Sequence, residues 1–109
     1  MIGIDIIEIK RFAKIKKSDF ARWQKFFSEH EWHYAFGSKK SAERLAGIFS
    51  AKEAVMKALG GKYGGRFDLI EILHKKNGAP FTKVEKSAKK IFISISHEKK
   101  HAVAIAMII

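Results

Sequence analysis

Two segments of the chain alternate between apolar and other residues with the two-residue period of a β-strand. Five of the eight residues from 2 to 9 are isoleucines, which are β-branched and favour a strand. One face of that strand carries Ile2, Ile4 and Ile6, and the other carries Gly3, Asp5, Ile7 and Ile9. Residues 91–97 and 101–109 predict a hairpin, whose second strand places Ala102, Ala104 and Ala106 on one face. Because alanine is small, a helix can pack closely against that face.

After the first strand, the apolar residues recur every three or four positions, which is the spacing of one face of a helix. Residues 10–17 predict a short basic helix, and Ser18 predicts the N-cap of a second helix over residues 19–28. The apolar stripe of that second helix consists of Phe20, Trp23, Phe26 and Phe27. Residues 29–36 predict another helical turn or two, which Gly37 ends.

The longest helix is predicted in the middle of the chain. Ser38 or Ser41 is expected to cap its start, and it runs to about Leu59, where Gly60-Gly61 closes it. Its small residues match the alanine face of the last strand; they are Ala46, Ala51, Ala54 and Ala58.

The remaining segment returns to strands. Residues 66–74 predict a strand, Asn77-Gly78 predicts a turn, and Pro80 starts the returning strand. The order of strand, helices and strands predicts an α+β fold, an antiparallel sheet with helices packed on one face. We expect a single domain over residues 1–109.

Composition narrows the class of protein. The absence of Cys excludes disulfides, Cys-ligated zinc and thiol catalysis. The chain contains no run of about 20 apolar residues, so the sequence predicts no membrane span. The segment Met1–Asp5 does not resemble a signal peptide, because it lacks a basic start and carries an acid within the apolar run. These features predict a cytoplasmic protein.

The chain is strongly basic, with 22 Lys and Arg against 11 Asp and Glu, and a formal net charge of +11. Residues 10–25 carry much of this excess, because they hold seven bases and a single acid, Asp19. Such a charge predicts an acidic partner, which could be a nucleic acid, an acidic protein or a polyphosphate ligand.

Two acids lie in apolar surroundings. Asp5 is in the middle of an apolar strand, where an ionised carboxylate is costly unless it is paired, solvated or bound to a metal. Phe49, Glu53 and Lys57 share one stripe of the longest helix at intervals of four residues. The simple interpretations of Asp5 are an edge strand on which it faces water, or a structural ion pair. For Glu53 the simple interpretation is an exposed pair with Lys57. The alternative is a Mg²⁺ site, because this ion takes one or two carboxylates together with waters and substrate phosphate.

The histidines give weaker signals. Ser94-Ile95-Ser96-His97 ends a predicted strand, and its simple interpretation is a turn with a surface histidine. No Ser-His-Asp triad follows from neighbouring residues, because triads assemble in space. The other four histidines lack metal-ligand spacing and are expected at the surface: His30, His33, His74 and His101.

Three motifs in chain order resemble those of a single family. They are Gly3-Ile4-Asp5-Ile6-Ile7, Phe49-x-x-Lys52-Glu53-Ala54-x-x-Lys57 and Ser94-Ile95-Ser96-His97. Together they look like the motifs of the holo-acyl carrier protein synthases, the short bacterial class of 4'-phosphopantetheinyl transferases. The resemblance covers almost the whole chain. It includes Asn77-Gly78-Ala79-Pro80 and the glycine loop, which contains Gly60, Gly61, Gly64 and Gly65.

The resemblance implies an activity and its residues. Such enzymes transfer 4'-phosphopantetheine from coenzyme A to a serine of apo acyl carrier protein, releasing adenosine 3',5'-bisphosphate, a step that serves fatty acid biosynthesis. By match to the family motifs, Asp5 and Glu53 would bind Mg²⁺, and Glu53 or a metal-bound water would take the serine proton. Lys57 would neutralise the charge developing on the phosphate.

The resemblance also implies contacts with both substrates and with copies of the chain. Lys57, Lys62 and His97 would contact coenzyme A. The acidic carrier protein would dock on the basic stretch, and the residues expected to guide it are Arg11, Lys14, Arg22 and Lys25. A homotrimer with active sites between subunits is the expected assembly.

The chain departs from the family pattern at positions that concern the nucleotide. The family usually has a basic residue where this chain has Ile48, and Gly-Lys-Pro where this chain has Gly78-Ala79-Pro80. Leu69 likewise stands where the family usually has Asp. The competing hypothesis is a small basic nucleic-acid-binding protein. That hypothesis does not explain Asp5 and Glu53, and the aromatic residues form a core stripe rather than a stacking platform.

Overall fold

The computed structural model describes residues 1–109, which form two antiparallel sheets and three α-helices. The strands are β1 (Ile2–Glu8), β2 (Ile70–His74), β3 (Pro80–Val84), β4 (Ile91–His97) and β5 (His101–Ile108). The helices are α1 (Phe20–Trp23), α2 (Glu29–Phe36) and α3 (Ser41–Ala58), with 3-10 turns at Ile9–Phe12, Lys17–Asp19 and Phe67–Leu69. One sheet has the order β1-β5-β4, and β2 pairs with β3 in a second sheet. The α+β architecture is confirmed, whereas two separate sheets were not expected.

The two faces of β1 differ as the alternation predicts. Gly3 and Ile7 are buried against the helices, while Ile2, Ile4 and Ile6 are each at least 60% exposed on the opposite face. Asp5 pairs with Ala104 of β5, which in turn pairs with Ile95 of β4. Asp5 therefore belongs to the face that packs on α3, although it is charged.

Helix α3 crosses the inner face of the three-stranded sheet diagonally. Near the start of α3, a Cβ added to Gly47 would lie 3.2 Å from Ile95 of β4. Near its end, a Cβ added to Gly3 of β1 would overlap the Ala54 carbonyl oxygen and lie 2.7 Å from the Ala58 nitrogen. The fully buried alanines of β5 lie between these two points. The helix can approach this closely only because small residues line both surfaces.

The segment between β1 and α2 is less helical than expected. In place of a helix over 10–17 there is one 3-10 turn, because like charges spaced three and four residues apart disfavour a longer helix. The helix expected over 19–28 shortens to the four residues of α1. Ser18 does not cap it; Asp19 instead accepts a hydrogen bond from the Lys16 backbone N–H at 2.9 Å.

The ends of the other helices agree in part with expectation. Ser28 caps α2 by accepting from the Glu31 N–H at 3.2 Å, and Gly37 ends that helix. Neither Ser38 nor Ser41 caps α3, whose N-cap position is Lys40. The α3 C-terminus is as predicted, with Gly60 and Gly61 at φ +68° and +80°, angles that other residues rarely adopt.

The second sheet begins later than expected. The first three residues after Arg66 form a 3-10 turn, and β2 starts only at Ile70. The predicted turn at Asn77-Gly78 is present, with the Asn77 side chain accepting from the Ala79 N–H at 2.9 Å. Pro80 begins β3 as predicted.

A buried ion pair joins α2 to α3. The Lys52 ammonium lies 2.6 Å from a Glu31 carboxylate oxygen, and the two side chains are 1% and 0% exposed. Lys52 also donates to the Phe26 carbonyl at 2.8 Å, and Glu31 accepts from the Ile72 N–H at 2.8 Å. These bonds compensate both charges and fix α2, α3 and β2 in one arrangement.

No helix of the chain combines the length and the apolarity needed to cross a membrane.

The close packing of β1 on α3 predicts opposite effects for two Gly→Ala substitutions. Gly3→Ala forces a methyl group into the backbone of α3, so we expect a loss of about 1–3 kcal/mol or more in the free energy of unfolding. Gly47→Ala meets only a movable side chain and gains helix propensity of about 0.5–1 kcal/mol, so it is expected to be neutral or stabilising. Urea denaturation measures both, and wild-type stability in Gly3→Ala would show that the contact is looser than described.

Candidate active site

The contact between β1 and α3 brings two acids together. Asp5 lies on the inner face of β1 with its side chain 16% exposed, and its carbonyl accepts from the Ser50 hydroxyl of α3 at 3.0 Å. Glu53 lies one turn further along α3. Burial and then the neighbouring Asp5 carboxylate raise the pKa of Glu53 above its ordinary value, while Lys57 and Arg11 offset part of this rise. The two carboxylates therefore share one electrostatic environment.

Lys57 completes this group, but in a way that the helical spacing did not predict. Its ammonium donates to the Ile4 carbonyl at 2.9 Å and lies 3.3 Å from an Asp5 carboxylate oxygen. The expected ion pair of Lys57 with Glu53 on the same helix does not form. The structural interpretation of Asp5 as an ion-paired residue is thus correct, and it is compatible with a ligand role because Asp5 keeps a second carboxylate oxygen.

The donor set at this point is suited to a hard divalent cation. No three His, Cys, Asp or Glu side chains of the chain cluster closely enough to hold a metal ion alone. Two carboxylates are nevertheless a common protein contribution to a Mg²⁺ site, in which waters and substrate phosphate supply the other oxygens. Asp5 and Glu53 fit that pattern.

The basic segment begins beside the acid pair. The charge of Arg11 acts on Glu53, so the start of this basic segment, residues 10–25, lies near the acid pair. A cavity of about 240 Å³ opens beside Arg11 and is lined by Phe12, Trp23, Phe26 and Phe49. Lys14, Arg22 and Lys25 are exposed, as docking residues must be. The predicted aromatic stripe packs into the core here, with Trp23 and Phe27 in ring contact at 6.3 Å.

His97 lies in a different place from the acid pair. Its Nε2 is 3.2 Å from a Glu43 carboxylate oxygen at the start of α3. Both line a cavity of about 330 Å³ between α2, α3, the β2–β3 turn and the end of β4. Glu43 precedes Glu53 by ten residues, which is about 15 Å along a helix. Within one chain, the acid pair and this cavity therefore occupy opposite ends of α3. Lys62 is exposed in the glycine loop. Its side chain makes no hydrogen bond or ion pair with the acid pair or with the residues of the His97 cavity.

The same cavity contains a cluster that the sequence did not reveal. The rings of Tyr34 and His74 stack with centroids 3.8 Å apart and planes 5° apart. The Arg44 guanidinium lies 4.1 Å from the Tyr34 ring centroid and donates to the Tyr34 carbonyl at 2.7 Å. Burial and then the charge of Arg44 lower the pKa of His74, and its buried Nδ1 has no hydrogen-bond partner. His74 is therefore half-buried rather than freely exposed at the surface, because Tyr34 covers one side of its ring.

The chain is similar to proteins of known activity over its whole length. A family model described as the 4'-phosphopantetheinyl transferase superfamily matches residues 1–107. A holo-[acyl-carrier-protein] synthase of Thermodesulfovibrio yellowstonii is 40% identical over 108 residues, covering 98% of this chain and 96% of the relative. One of Caldicellulosiruptor bescii is 38% identical and covers 97% of this chain and 94% of that relative.

Solved structures give the same likeness. The holo-[acyl-carrier-protein] synthase of Helicobacter pylori, in complex with coenzyme A, matches with a TM-score of 0.85 and 30% identity, and the match covers 100% of both chains. The enzyme of Bacillus anthracis, in complex with CoA (3',5'-ADP), matches with a TM-score of 0.81 and 36% identity, covering 98% of this chain and 93% of that one.

Proposed function

The chain belongs to the 4'-phosphopantetheinyl transferase superfamily, and we propose that it acts as a holo-[acyl-carrier-protein] synthase. In this proposal it transfers 4'-phosphopantetheine from coenzyme A to a serine of apo acyl carrier protein in the cytoplasm, for fatty acid biosynthesis. The observation that carries the proposal is the convergence of Asp5 of β1 with Glu53 and Lys57 of α3, two residues that lie far from Asp5 in sequence, at one contact of β1 with α3.

The proposed reaction needs a base and a cation at the phosphate. The serine hydroxyl oxygen attacks the phosphorus that carries pantetheine, the bond from that phosphorus to the bridging pyrophosphate oxygen breaks, and adenosine 3',5'-bisphosphate leaves. Glu53 takes the hydroxyl proton as a general base. Lys57 stabilises charge on the leaving phosphate. Asp5 and Glu53 would hold Mg²⁺, which would supply charge neutralisation across the pyrophosphate.

The transfer step predicts a dependence on metal and on both acids. Incubation with coenzyme A, Mg²⁺ and apo carrier protein is expected to raise the carrier mass by one 4'-phosphopantetheine. Asp5→Ala and Glu53→Gln are each expected to lower the rate at least about 100-fold, because each removes an oxygen ligand, and Glu53→Gln also removes the base. Glu8→Gln is the matched control, since Glu8 lies on β1 but on its exposed face. Full activity in excess chelator, or in either acid variant, would refute the assignment.

We further propose a homotrimer with active sites between subunits. The outer face of the three-stranded sheet carries large apolar residues that no part of the chain covers: Ile2, Ile4, Ile6, Phe92, Ile105 and Met107. Strands β1 and β4 are the two edges of this sheet, with the acid pair at one and the His97 cavity at the other. A cyclic assembly that sets the β1 edge of one subunit beside the β4 edge of the next would join these half-sites.

The trimer proposal predicts complementation between two damaged chains. Sedimentation velocity is expected to show a trimer. Asp5→Ala and His97→Ala chains, each weakly active alone, are expected to recover part of the activity when refolded together, because some interfaces then combine two intact half-sites. A stable, fully active monomer, or no recovery in verified mixed trimers, would contradict sites between subunits.

The basic segment is proposed to dock the acidic carrier protein, mainly by raising the association rate. Arg11 also acts on Glu53, so its reversal would change docking and chemistry together. Lys14 and Lys25 are therefore the better test, because both are exposed and neither contributes to the pKa of Glu53.

Reversing Lys14 and Lys25 to Glu is expected to raise the apparent KM for carrier protein about tenfold and to leave the KM for coenzyme A unchanged. The control reverses Lys86 and Lys89, two exposed lysines of the loop between β3 and β4. Raising the salt concentration is expected to weaken carrier binding to the wild type in the same way. An unchanged carrier KM would move the docking surface elsewhere, and tight binding of duplex DNA at physiological salt would favour the nucleic-acid-binding alternative.

A further inference from the structure

The Lys57 ammonium binds oxygens of the kind that a hard divalent cation would use. It donates to the Ile4 carbonyl at 2.9 Å and to an Asp5 carboxylate oxygen at 3.3 Å. Carbonyl and carboxylate oxygens are the protein ligands that Mg²⁺ and similar cations prefer. The chain therefore supplies its own cation to Asp5, one of the two acids of the candidate metal site.

The second acid of that site is left without such a partner. No hydrogen bond or ion pair engages the Glu53 carboxylate, and the charges of Lys57 and Arg11 act on it only from a distance. Lys57 pairs with Asp5 on the neighbouring strand, although Glu53 lies one turn before it on the same helix. A metal ion that needs both acids must therefore compete with Lys57 for Asp5.

The pair of Lys57 with Asp5 can open because its two members differ in exposure. The Lys57 side chain is 53% exposed and ends a flexible four-carbon stem, so its ammonium regains water when it leaves. The Asp5 side chain is only 16% exposed, so its carboxylate needs another cation in place of the ammonium. A dication on the second Asp5 oxygen would lie close to the ammonium and repel it. Simultaneous binding of both cations to Asp5 is thus disfavoured.

We propose that Lys57 blocks the metal-binding carboxylate of Asp5 and leaves it when a phosphate of coenzyme A binds, so that metal and coenzyme A bind cooperatively. This inference rests on the proposed function, because it takes coenzyme A as the phosphate ligand. The phosphate draws the ammonium away from Asp5 and thereby frees a ligand for the metal when substrate is present. By linkage, the metal raises the affinity for coenzyme A by the same factor.

Electron paramagnetic resonance of free Mn²⁺ tests the competition without any substrate, with Mn²⁺ as the probe. Lys57→Met is expected to bind Mn²⁺ about tenfold more tightly than the wild type, because it frees the Asp5 carboxylate. Arg11→Met is the matched control, since it also removes a positive charge that acts on Glu53 but engages no oxygen of either acid. Its gain is expected to be less than about threefold.

Two results of this titration would overturn the proposal. Equal gains in Lys57→Met and Arg11→Met would show that only the local charge matters. No Mn²⁺ binding to Lys57→Met would show that removal of the lysine opens no site.

Nitrogen-15 NMR of the lysine ammonium groups measures the displacement itself. Mg²⁺ is expected to move the Lys57 Nζ signal of the wild type towards its position in Asp5→Asn, which lacks the carboxylate partner. The signal of Lys14, which is exposed and makes no ion pair, is the internal control and is expected to stay unchanged. An unmoved Lys57 signal at a Mg²⁺ concentration that displaces bound Mn²⁺ would contradict the blocking role.

The effect of coenzyme A on metal affinity separates this inference from the proposed function. Saturating coenzyme A is expected to tighten Mn²⁺ binding by a factor at least about fivefold larger in the wild type than in Lys57→Met, because the variant has no block to release. If the wild type modifies the carrier but the two factors are equal, the blocking role is wrong and the transferase assignment stands. If the factors differ as expected but the wild type does not modify the carrier, the blocking role stands and the transferase assignment fails.

Discussion

The close approach of β1 to α3 is the constraint on which the rest of the structure depends. Gly3 has no side chain, so the strand backbone lies against the backbone of Ala54 and Ala58. Any larger residue at that point would hold the strand and helix further apart. With Gly3 in place, Asp5 lies two residues along the same strand face and reaches the stripe of α3 that carries Glu53 and Lys57. A packing contact between small residues therefore determines where three charged groups meet.

The same helix separates two sets of functional residues. Its C-terminal half holds the acid pair at the β1 edge, and its N-terminal half holds Glu43 and Arg44 at the β4 edge. The buried pair of Glu31 and Lys52 fixes the position of α3 relative to α2, because a shift of either helix would leave a buried charge without its partner. The exposed apolar face of the sheet supports an assembly in which neighbouring chains bring the two sets together.

The sequence predicts best what depends on local pattern. The faces of β1, the extent of α2 with Gly37 at its end, and the turn at Asn77-Gly78 follow from alternation, helix-stop signals and turn chemistry, and all are present, whereas the Ser28 cap of α2 was not predicted. Residues 10–28 were predicted as too helical for two reasons: the like charges of residues 10–17 repel one another, and the packing of the aromatic rings of this segment against Phe49 of α3 is not a local property.

In the candidate site, too, the sequence predicts what depends on local pattern and does not predict what depends on contacts between distant elements. The motifs identified Asp5, Glu53 and Lys57, but helical spacing favoured the wrong partner for Lys57, since its true partner lies on a strand 52 residues away. The cluster of Arg44, Tyr34 and His74 comes from three different elements, so no spacing could reveal it. Two departures from the family pattern, at Ile48 and at Gly78-Ala79-Pro80, lie at that cavity, but neither indicated these three residues.

The electrostatic coupling of Asp5 to Glu53 is the most direct test of the central claim that the contact of β1 with α3 creates a shared acid site. Carbon-13 NMR titration of the Glu53 carboxyl in metal-free buffer measures its pKa. The account predicts a raised pKa in the wild type and a lower pKa in Asp5→Asn, because the substitution removes the neighbouring negative charge while burial remains. Glu8→Gln, on the exposed face of β1, is expected to leave the Glu53 pKa unchanged. An identical Glu53 pKa in the wild type and in Asp5→Asn would contradict the account, because the two acids would then not share a site.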